Sequence, residues 1–140
     1  MSQYGLSWPM LVGETGADSV SNTDAGQARC LGMTMARGAA AGLQGIVWWT
    51  FQDEPSHAWY YGIVNDAMEP KPSYYALQTL TRELTGFKFV KSLSDTADFV
   101  NIEAYQFNVY GKKKIVMWST GIAQSLGPAP CAAERWSRTA

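Results

Sequence analysis

Apolar residues in the first half of the chain form two short runs with a helical stripe between them. The first run, residues 10–12, leads into Gly13-Glu14-Thr15-Gly16, which is typical of a buried strand that ends in a tight loop. The second run, residues 45–51, is β-branched and aromatic, as in a strand buried on both faces of a parallel sheet. Between the runs, small and apolar residues recur every three or four positions and predict one buried helical face: Ala25, Ala28, Leu31, Met35 and Ala39. The pattern therefore predicts a βαβ unit.

Capping signals mark the start of this helix and both ends of a second one. Ser21, with Asp24 three residues later, is a candidate N-cap of the first helix. The polar and aromatic residues 52–69 then form a long loop, and loops beyond about 12–15 residues are uncommon and often functional. Pro72 suits the first turn of the second helix, and Gly86 suits its C′ position.

After Gly86 the hydrophobic pattern changes from helical spacing to alternation. Apolar side chains occupy one face up to Ala104 and the other face after it: Val100, Ile102 and Ala104, then Tyr105, Phe107 and Val109. This switch predicts a bulge or a bend near Ala104. Gly111 offers a hairpin turn into a strand over residues 114–118.

The change of pattern predicts a division of the chain into a first domain over residues 1–88 and a partial β-sandwich-like domain over residues 95–126. Residues 127–140 show no periodicity and are predicted to form an irregular tail. A β-domain should continue with another alternating strand after residue 121. The sequence shows no such strand there, which suggests a frameshift or a premature stop near Leu126.

Composition narrows the classes of function. The 140 residues carry a net charge of −1 and only 16 % charged residues, so no basic field is available for nucleic acid. The longest apolar run, residues 46–51, is far shorter than the roughly 20 residues of a transmembrane helix, and residues 1–10 show no secretory signal. Six Trp and seven Tyr suit a carbohydrate site, where flat side chains cover the apolar faces of sugars, and suit an ordinary core equally well.

Glu14 is the first candidate for chemistry, because active sites of βα barrels lie at the C-terminal ends of strands. A solvated or helix-capping acid is the ordinary interpretation of such a residue. Trp48 and Trp49 alternate along their strand, so only one can face a barrel mouth, and Trp49 is nearer the C-terminal end. Asp53 is either a sugar contact or a loop acid that satisfies backbone amides. His57 has no Cys or His at ligand spacing, so we expect no metal and no other cofactor.

Four groups of motifs occur in a characteristic order. They are Tyr4-Gly5-Leu6 with Pro9-Met10-Leu11-Val12-Gly13-Glu14-Thr15-Gly16; Gln27-Ala28-Arg29; Ala40-Ala41-Gly42-Leu43-Gln44-Gly45-Ile46-Val47-Trp48-Trp49-Thr50-Phe51-Gln52-Asp53; and Tyr61-Gly62-Ile63-Val64 with Lys71-Pro72-Ser73-Tyr74-Tyr75-Ala76-Leu77. Over residues 3–86 this arrangement resembles helix 6 to helix 8 of the retaining glycoside hydrolases in the large barrel clan that includes cellulases, β-mannanases and β-xylosidases.

The resemblance implies an α/β fold, the C-terminal part of a (β/α)₈ TIM barrel followed by a partial antiparallel β-domain. It implies that Glu14 is the nucleophile of a retaining β-glycosidase that acts on an oligo- or polysaccharide. Trp49 would be the floor of the sugar subsite, with Trp48 and Asp53 as further substrate-binding candidates. In such enzymes a second carboxyl, roughly 5–5.5 Å away, acts as acid/base. It normally follows strand 4, which has no counterpart here, so we expect an inactive fragment that can associate through exposed barrel edges.

Two other functions stay open. A non-catalytic carbohydrate-binding module could use Trp48, Trp49, Trp59 and Trp118 as platforms, and would be a self-contained β-sandwich. The βαβα pattern of the first half favours the enzyme lineage instead. A fragment with no function of its own is compatible with that lineage.

Overall fold

A computed structural model describes residues 9–94, 96, 98 and 100–120. In chain order the elements are β1 (Leu11–Thr15), α1 (Ser19–Ala40), β2 (Gly45–Trp48), a 3₁₀ turn (Pro55–His57), α2 (Pro72–Leu84), β3 (Phe87–Ser92), β4 (Ile102–Val109) and β5 (Lys112–Ser119). The tail over residues 127–140, the suggested frameshift and the Tyr4-Gly5-Leu6 motif lie outside the described residues. Within the described ranges, no helix combines the length and the apolarity that a bilayer crossing requires.

The first layer is a parallel pair of strands connected by α1. β1 pairs with β2, with Leu11 opposite Gly45 and Thr15 opposite Trp48. Parallel neighbours need a crossover connection, and α1 supplies it, so the βαβ unit is confirmed. Gly38 permits the close packing of α1 on β2, because an added Cβ there would lie 2.3 Å from the Cδ1 atom of Ile46.

The start of α1 differs from the sequence prediction. Asp18 is the N-cap, and its carboxylate accepts hydrogen bonds from the amides of Val20 and Ser21 at 3.0 and 2.9 Å. The helix kinks at Thr23, which has a φ of 61°, and the Thr23 hydroxyl accepts from the amide of Gly26 at 3.1 Å. The predicted Ser21 cap is therefore wrong, because the Asp18 carboxylate provides two acceptor oxygens. It also accepts a hydrogen bond from the Ser21 hydroxyl at 2.7 Å.

The second helix has the bounds that its sequence signals predicted. Pro72 is the first residue of α2, where its missing amide hydrogen costs nothing, and Leu84 is the last. Gly86 follows with a φ of 75°, a backbone conformation that residues with a Cβ rarely adopt. α2 packs against α1, so the two helices form one layer.

The second sheet is antiparallel, with strand order β3-β4-β5. β3 was not predicted, because its residues fall at the expected boundary between the two domains. The predicted bulge near Ala104 is also wrong, since β4 and β5 pair without a shift and the irregularity lies in β3 between Phe89 and Lys91. Ala104 is buried by the turn after β3, where the amide of Leu93 donates to its carbonyl oxygen at 2.8 Å. The proposed domain limits at residues 88 and 95 stay a prediction.

The hairpin between β4 and β5 has a two-residue turn. Tyr110 and Gly111 both have positive φ, 50° and 81°, which is the pattern of a type I′ turn and confirms the predicted hairpin. β5 begins directly after it, at Lys112, slightly before the predicted start of the strand. The apolar face of this sheet packs on both helices around Leu84, Phe107 and Val109.

A polar cluster also joins α1 to the antiparallel sheet. The Arg37 guanidinium donates two hydrogen bonds to the Glu103 carboxylate at 2.7 and 2.6 Å, and the Tyr105 hydroxyl donates a third at 2.6 Å. The hydrogen bonds from Arg37 hold the pKa of Glu103 below its usual value. Burial, together with the bond to Glu103, raises the pKa of Tyr105 to about 12. The Arg37 guanidinium also lies 5.4 Å from the ring centre of Trp118, a cation–π contact.

Candidate active site

Glu14 is the penultimate residue of β1, so it lies at the C-terminal end of that strand. Val12 pairs with Ile46 and Thr15 with Trp48, which leaves Gly13 and Glu14 opposite a single residue of β2. The register of the pairing therefore shifts at Gly13 and Glu14, and irregularities of this kind are common beside active sites. Glu14 is exposed, and none of the described residues donates a hydrogen bond to its carboxylate.

Trp49 directly follows β2 and lies at the same edge of the parallel pair as Glu14. Its amide donates to the carbonyl oxygen of Thr15 at 2.7 Å, which extends the pairing to the end of the strands. Gly16 makes this close approach possible, because an added Cβ would lie 2.4 Å from the Trp49 carbonyl oxygen. The peptide bond from Trp49 to Thr50 is cis. Trp49 is 40 % exposed, so part of its ring is open to a ligand.

Trp48 has different surroundings from Trp49. Its side chain is half-buried, and the indole nitrogen donates to the carbonyl oxygen of Tyr61 at 3.2 Å. Trp48 therefore anchors the loop after β2 to the strand. This surrounding favours a packing role for Trp48 and leaves Trp49 as the tryptophan available to a ligand.

Asp53 is buried and its carboxylate is fully engaged. Lys71 places its ammonium 2.8 and 3.0 Å from the two carboxylate oxygens, and the amide of Gly62 donates to Oδ1 at 2.7 Å. Gly62 is essential to the contact, since an added Cβ would lie 2.3 Å from the Asp53 amide nitrogen. Of the two roles considered for Asp53, this geometry favours the loop acid that satisfies a backbone amide over the sugar contact.

Two buried side chains that sequence analysis did not single out hold the loop over residues 52–69 in place. The Lys71 ammonium also donates to the Ser19 hydroxyl at 3.0 Å, which links the loop to α1. Gln27 is fully buried; its amide nitrogen donates to the carbonyl oxygens of Ala17 and Tyr60 at 2.9 and 3.2 Å, and its oxygen accepts from Ser73 at 2.9 Å. Gln27 and Lys71 each begin a motif of the family resemblance, but that resemblance gave neither residue a role.

The loop after β2 carries a second exposed indole beside Trp49. Trp59 is 40 % exposed, and its ring centre is 5.9 Å from that of Trp49 at an interplanar angle of 72°. His57 stacks on Trp59 at 5.0 Å and 28°, and its Nδ1 lies 2.9 Å from a carboxylate oxygen of Glu54. We call this cluster the aromatic corner: Trp49 and Trp59 form its two sides, and His57 stacks on the Trp59 ring. From the sequence, Trp59 was expected only as a platform of the alternative binding module.

No cluster of metal ligands is present in the described part of the chain. No three side chains of His, Cys, Asp or Glu come close enough together there to hold an ion.

Comparison with known proteins shows a similarity to a solved structure. No protein-family model matches the chain, and no curated protein matches it. Among solved structures, the chain is similar to a family 39 glycoside hydrolase from the gut symbiont Bacteroides cellulosilyticus WH2, with 26 % sequence identity and a TM-score of 0.68. The match covers 81 % of this chain and 24 % of that chain. The described residues thus form a mixed α/β structure similar to part of a glycoside hydrolase, which differs from the self-contained β-sandwich expected of the alternative binding module.

Proposed function

We propose that this chain forms part of the catalytic domain of a retaining β-glycosidase, with Glu14 as the nucleophile and Trp49 as the floor of a sugar subsite. The relative position of the two residues carries the proposal. They end neighbouring parallel strands at the same edge, and both are exposed, in a chain similar to a glycoside hydrolase. In α/β sheets, ligands bind at the carboxyl ends of the strands.

The surroundings of Glu14 suit a nucleophile better than a structural acid. Asp53, the nearby buried acid, has its charge compensated by Lys71, whereas the Glu14 carboxylate has no cation or amide partner among the described residues. An ionised carboxylate of this kind can attack the anomeric carbon and form a glycosyl ester as the leaving oxygen departs. Water then cleaves the ester and restores the anomeric configuration.

A retaining glycosidase needs a second carboxyl roughly 5–5.5 Å from the nucleophile, on the other side of the scissile bond. Three acids of the loop after β2 contact other side chains: Asp53 contacts Lys71, Glu54 contacts His57, and Glu69 contacts Asn65. Asp18, in the loop after β1, caps α1. We therefore propose that the proton donor is supplied from outside the described residues. The parent fold consistent with this is a (β/α)₈ barrel of the cellulase, mannanase and xylosidase clan.

Covalent trapping tests the role of Glu14 without requiring the proton donor. A 2-deoxy-2-fluoro-β-glycoside with a dinitrophenolate leaving group needs no protonation, and the fluorine slows hydrolysis of the ester. We expect incubation with gluco- and xylo-configured reagents to add one fluoroglycosyl group to the chain, and peptide mass spectrometry to locate it on Glu14. The Glu14→Gln variant should remain unlabelled.

Asp66→Asn is the matched control, because it removes an exposed carboxylate in the loop after β2. Labelling of Glu14 should persist in that variant. A label on Glu54 or Asp53 instead of Glu14, or equal labelling of wild type and Glu14→Gln, would refute the nucleophile assignment.

A further inference from the structure

We propose that Trp59 is a specificity-determining residue of the same site, where it forms a second wall against the sugar that rests on Trp49. This inference rests on the proposed function and adds to it a residue and a ligand class. The ligand it fits is a neutral oligosaccharide whose pyranose units present apolar C–H faces.

The shape of the aromatic corner is the first support. The Trp49 and Trp59 rings are close, at 5.9 Å between centres, and nearly perpendicular, at 72°. Each residue keeps 40 % of its surface exposed, although His57 stacks on one face of the Trp59 ring. Two such surfaces can contact a pyranose on one face and one edge together, and burial of both contacts gives more affinity than a single flat platform.

The second support is that Trp59 is held in place by the loop itself. The amide of Glu54 donates to the carbonyl oxygen of Trp59 at 2.7 Å, and the amide of Trp59 donates back at 3.1 Å. His57 lies against the Trp59 ring, and its Nδ1 contacts Glu54 at 2.9 Å. A wall that is already ordered loses less side-chain entropy on binding, so His57 acts as a positioning residue for Trp59.

The charges near the corner select the ligand class. The exposed Glu14 carboxylate lies at the same strand edge, and Glu54 is half exposed within the loop. The Glu14 carboxylate, which has no partner among the described residues, would repel a uronic acid, whereas a neutral sugar meets no such repulsion. The exposed indole rings match the C–H faces of gluco- or xylo-configured units.

Binding titrations of the purified chain test the inference. The ligands are cellotriose, xylotriose and a trigalacturonate, and tryptophan fluorescence and NMR measure binding. We expect a neutral trisaccharide to bind and the trigalacturonate to bind at least about tenfold more weakly. Trp59→Ala and Trp49→Ala should each weaken binding of the neutral trisaccharide about tenfold. Tyr75→Ala removes an exposed aromatic ring on α2 and should leave binding unchanged. Near-ultraviolet circular dichroism verifies that every variant is folded.

Variants of His57 distinguish positioning from simple packing. His57→Phe keeps a ring against Trp59 and should retain most of the affinity, whereas His57→Ala should lose part of it. If a neutral trisaccharide binds and Trp49→Ala weakens it while Trp59→Ala does not, the inference is overturned and the proposed function stands. If neither cellotriose nor xylotriose binds, the inference is also overturned. Covalent trapping on Glu14 then tests the proposed function separately.

Discussion

Lys71 places its ammonium 2.8 Å from a carboxylate oxygen of Asp53, and both side chains are only 7 % exposed. The two residues lie at opposite ends of the loop that carries Trp59, since Asp53 follows β2 and Lys71 immediately precedes α2. The pair therefore closes the loop and fixes its position against the parallel strands. The aromatic corner depends on an ion pair that itself has no access to a ligand.

Substitution of one partner of this pair should destabilise the chain strongly. Lys71→Met leaves the Asp53 carboxylate buried without a cation, and we expect a loss of about 3–5 kcal/mol in the free energy of unfolding. Chemical denaturation measures the loss. In the double variant Asp53→Asn with Lys71→Met, the oxygen of the new side-chain amide can still accept from Gly62, so most of the stability should return. A double variant as unstable as Lys71→Met alone would contradict this account.

Gly16 should be intolerant of even a methyl group, whereas Gly13 should tolerate one. In Gly16→Ala the Cβ meets the Trp49 carbonyl oxygen at 2.4 Å, so the strand ends must separate, and we expect a loss of about 1–3 kcal/mol. Gly13 lies within β1, three residues before Gly16, but an added Cβ there has no atom within 4 Å. Gly13→Ala should therefore leave the free energy of unfolding unchanged or raise it by about 0.4–1 kcal/mol. Thermal and chemical denaturation of both variants check the contrast.

The cluster around Glu103 should make stability depend on pH at both extremes. The pKa of Glu103 is lower in the folded than in the unfolded chain, so its contribution is present at neutral pH and is lost as the pH falls through the folded value. The pKa of Tyr105 is raised to about 12, so its contribution is present below pH about 10 and is lost as the pH rises through about 12. Arg37→Met should weaken the acid dependence, which denaturation at a series of pH values measures.

Spectroscopy isolates Tyr105 from the other tyrosines. The difference between the ultraviolet titrations of wild type and Tyr105→Phe should show one phenol with a midpoint near pH 12. Glu103→Gln removes the carboxylate that accepts from the Tyr105 hydroxyl and should lower that midpoint. A midpoint near the ordinary value of about 10 in the wild type would show that the hydroxyl is not held by Glu103.

Local sequence patterns predicted the elements of this chain better than its contacts. Alternation, capping and turn chemistry identified β1, α1, β2, α2 and the β4–β5 hairpin, because these depend on neighbours along the chain. The N-cap at Asp18 was missed because Ser21 offers a similar signal nearby. The contact of Asp53 with a backbone amide was one of the two roles considered, but its ion pair could not be predicted, since Lys71 lies 18 residues further along the chain. The position of Glu14 beside Trp49 followed from the parallel pairing, whereas the ring of Trp59 reaches that edge through a loop that has no periodicity.

Without another polypeptide, the purified chain should not hydrolyse ordinary aryl β-glycosides at a rate attributable to Glu14. Cleavage of a poor leaving group needs both a nucleophile and a proton donor on opposite sides of the bond, and the nearby described acids Asp53 and Glu54 are paired with Lys71 and His57. Nitrophenyl glycosides with leaving groups of graded acidity provide the assay. Wild type and Glu14→Gln should share background rates on the poorest leaving groups, even if the wild type alone is labelled by the fluoroglycoside. Turnover of a poor leaving group that disappears in Glu14→Gln would show that this chain contains its own proton donor.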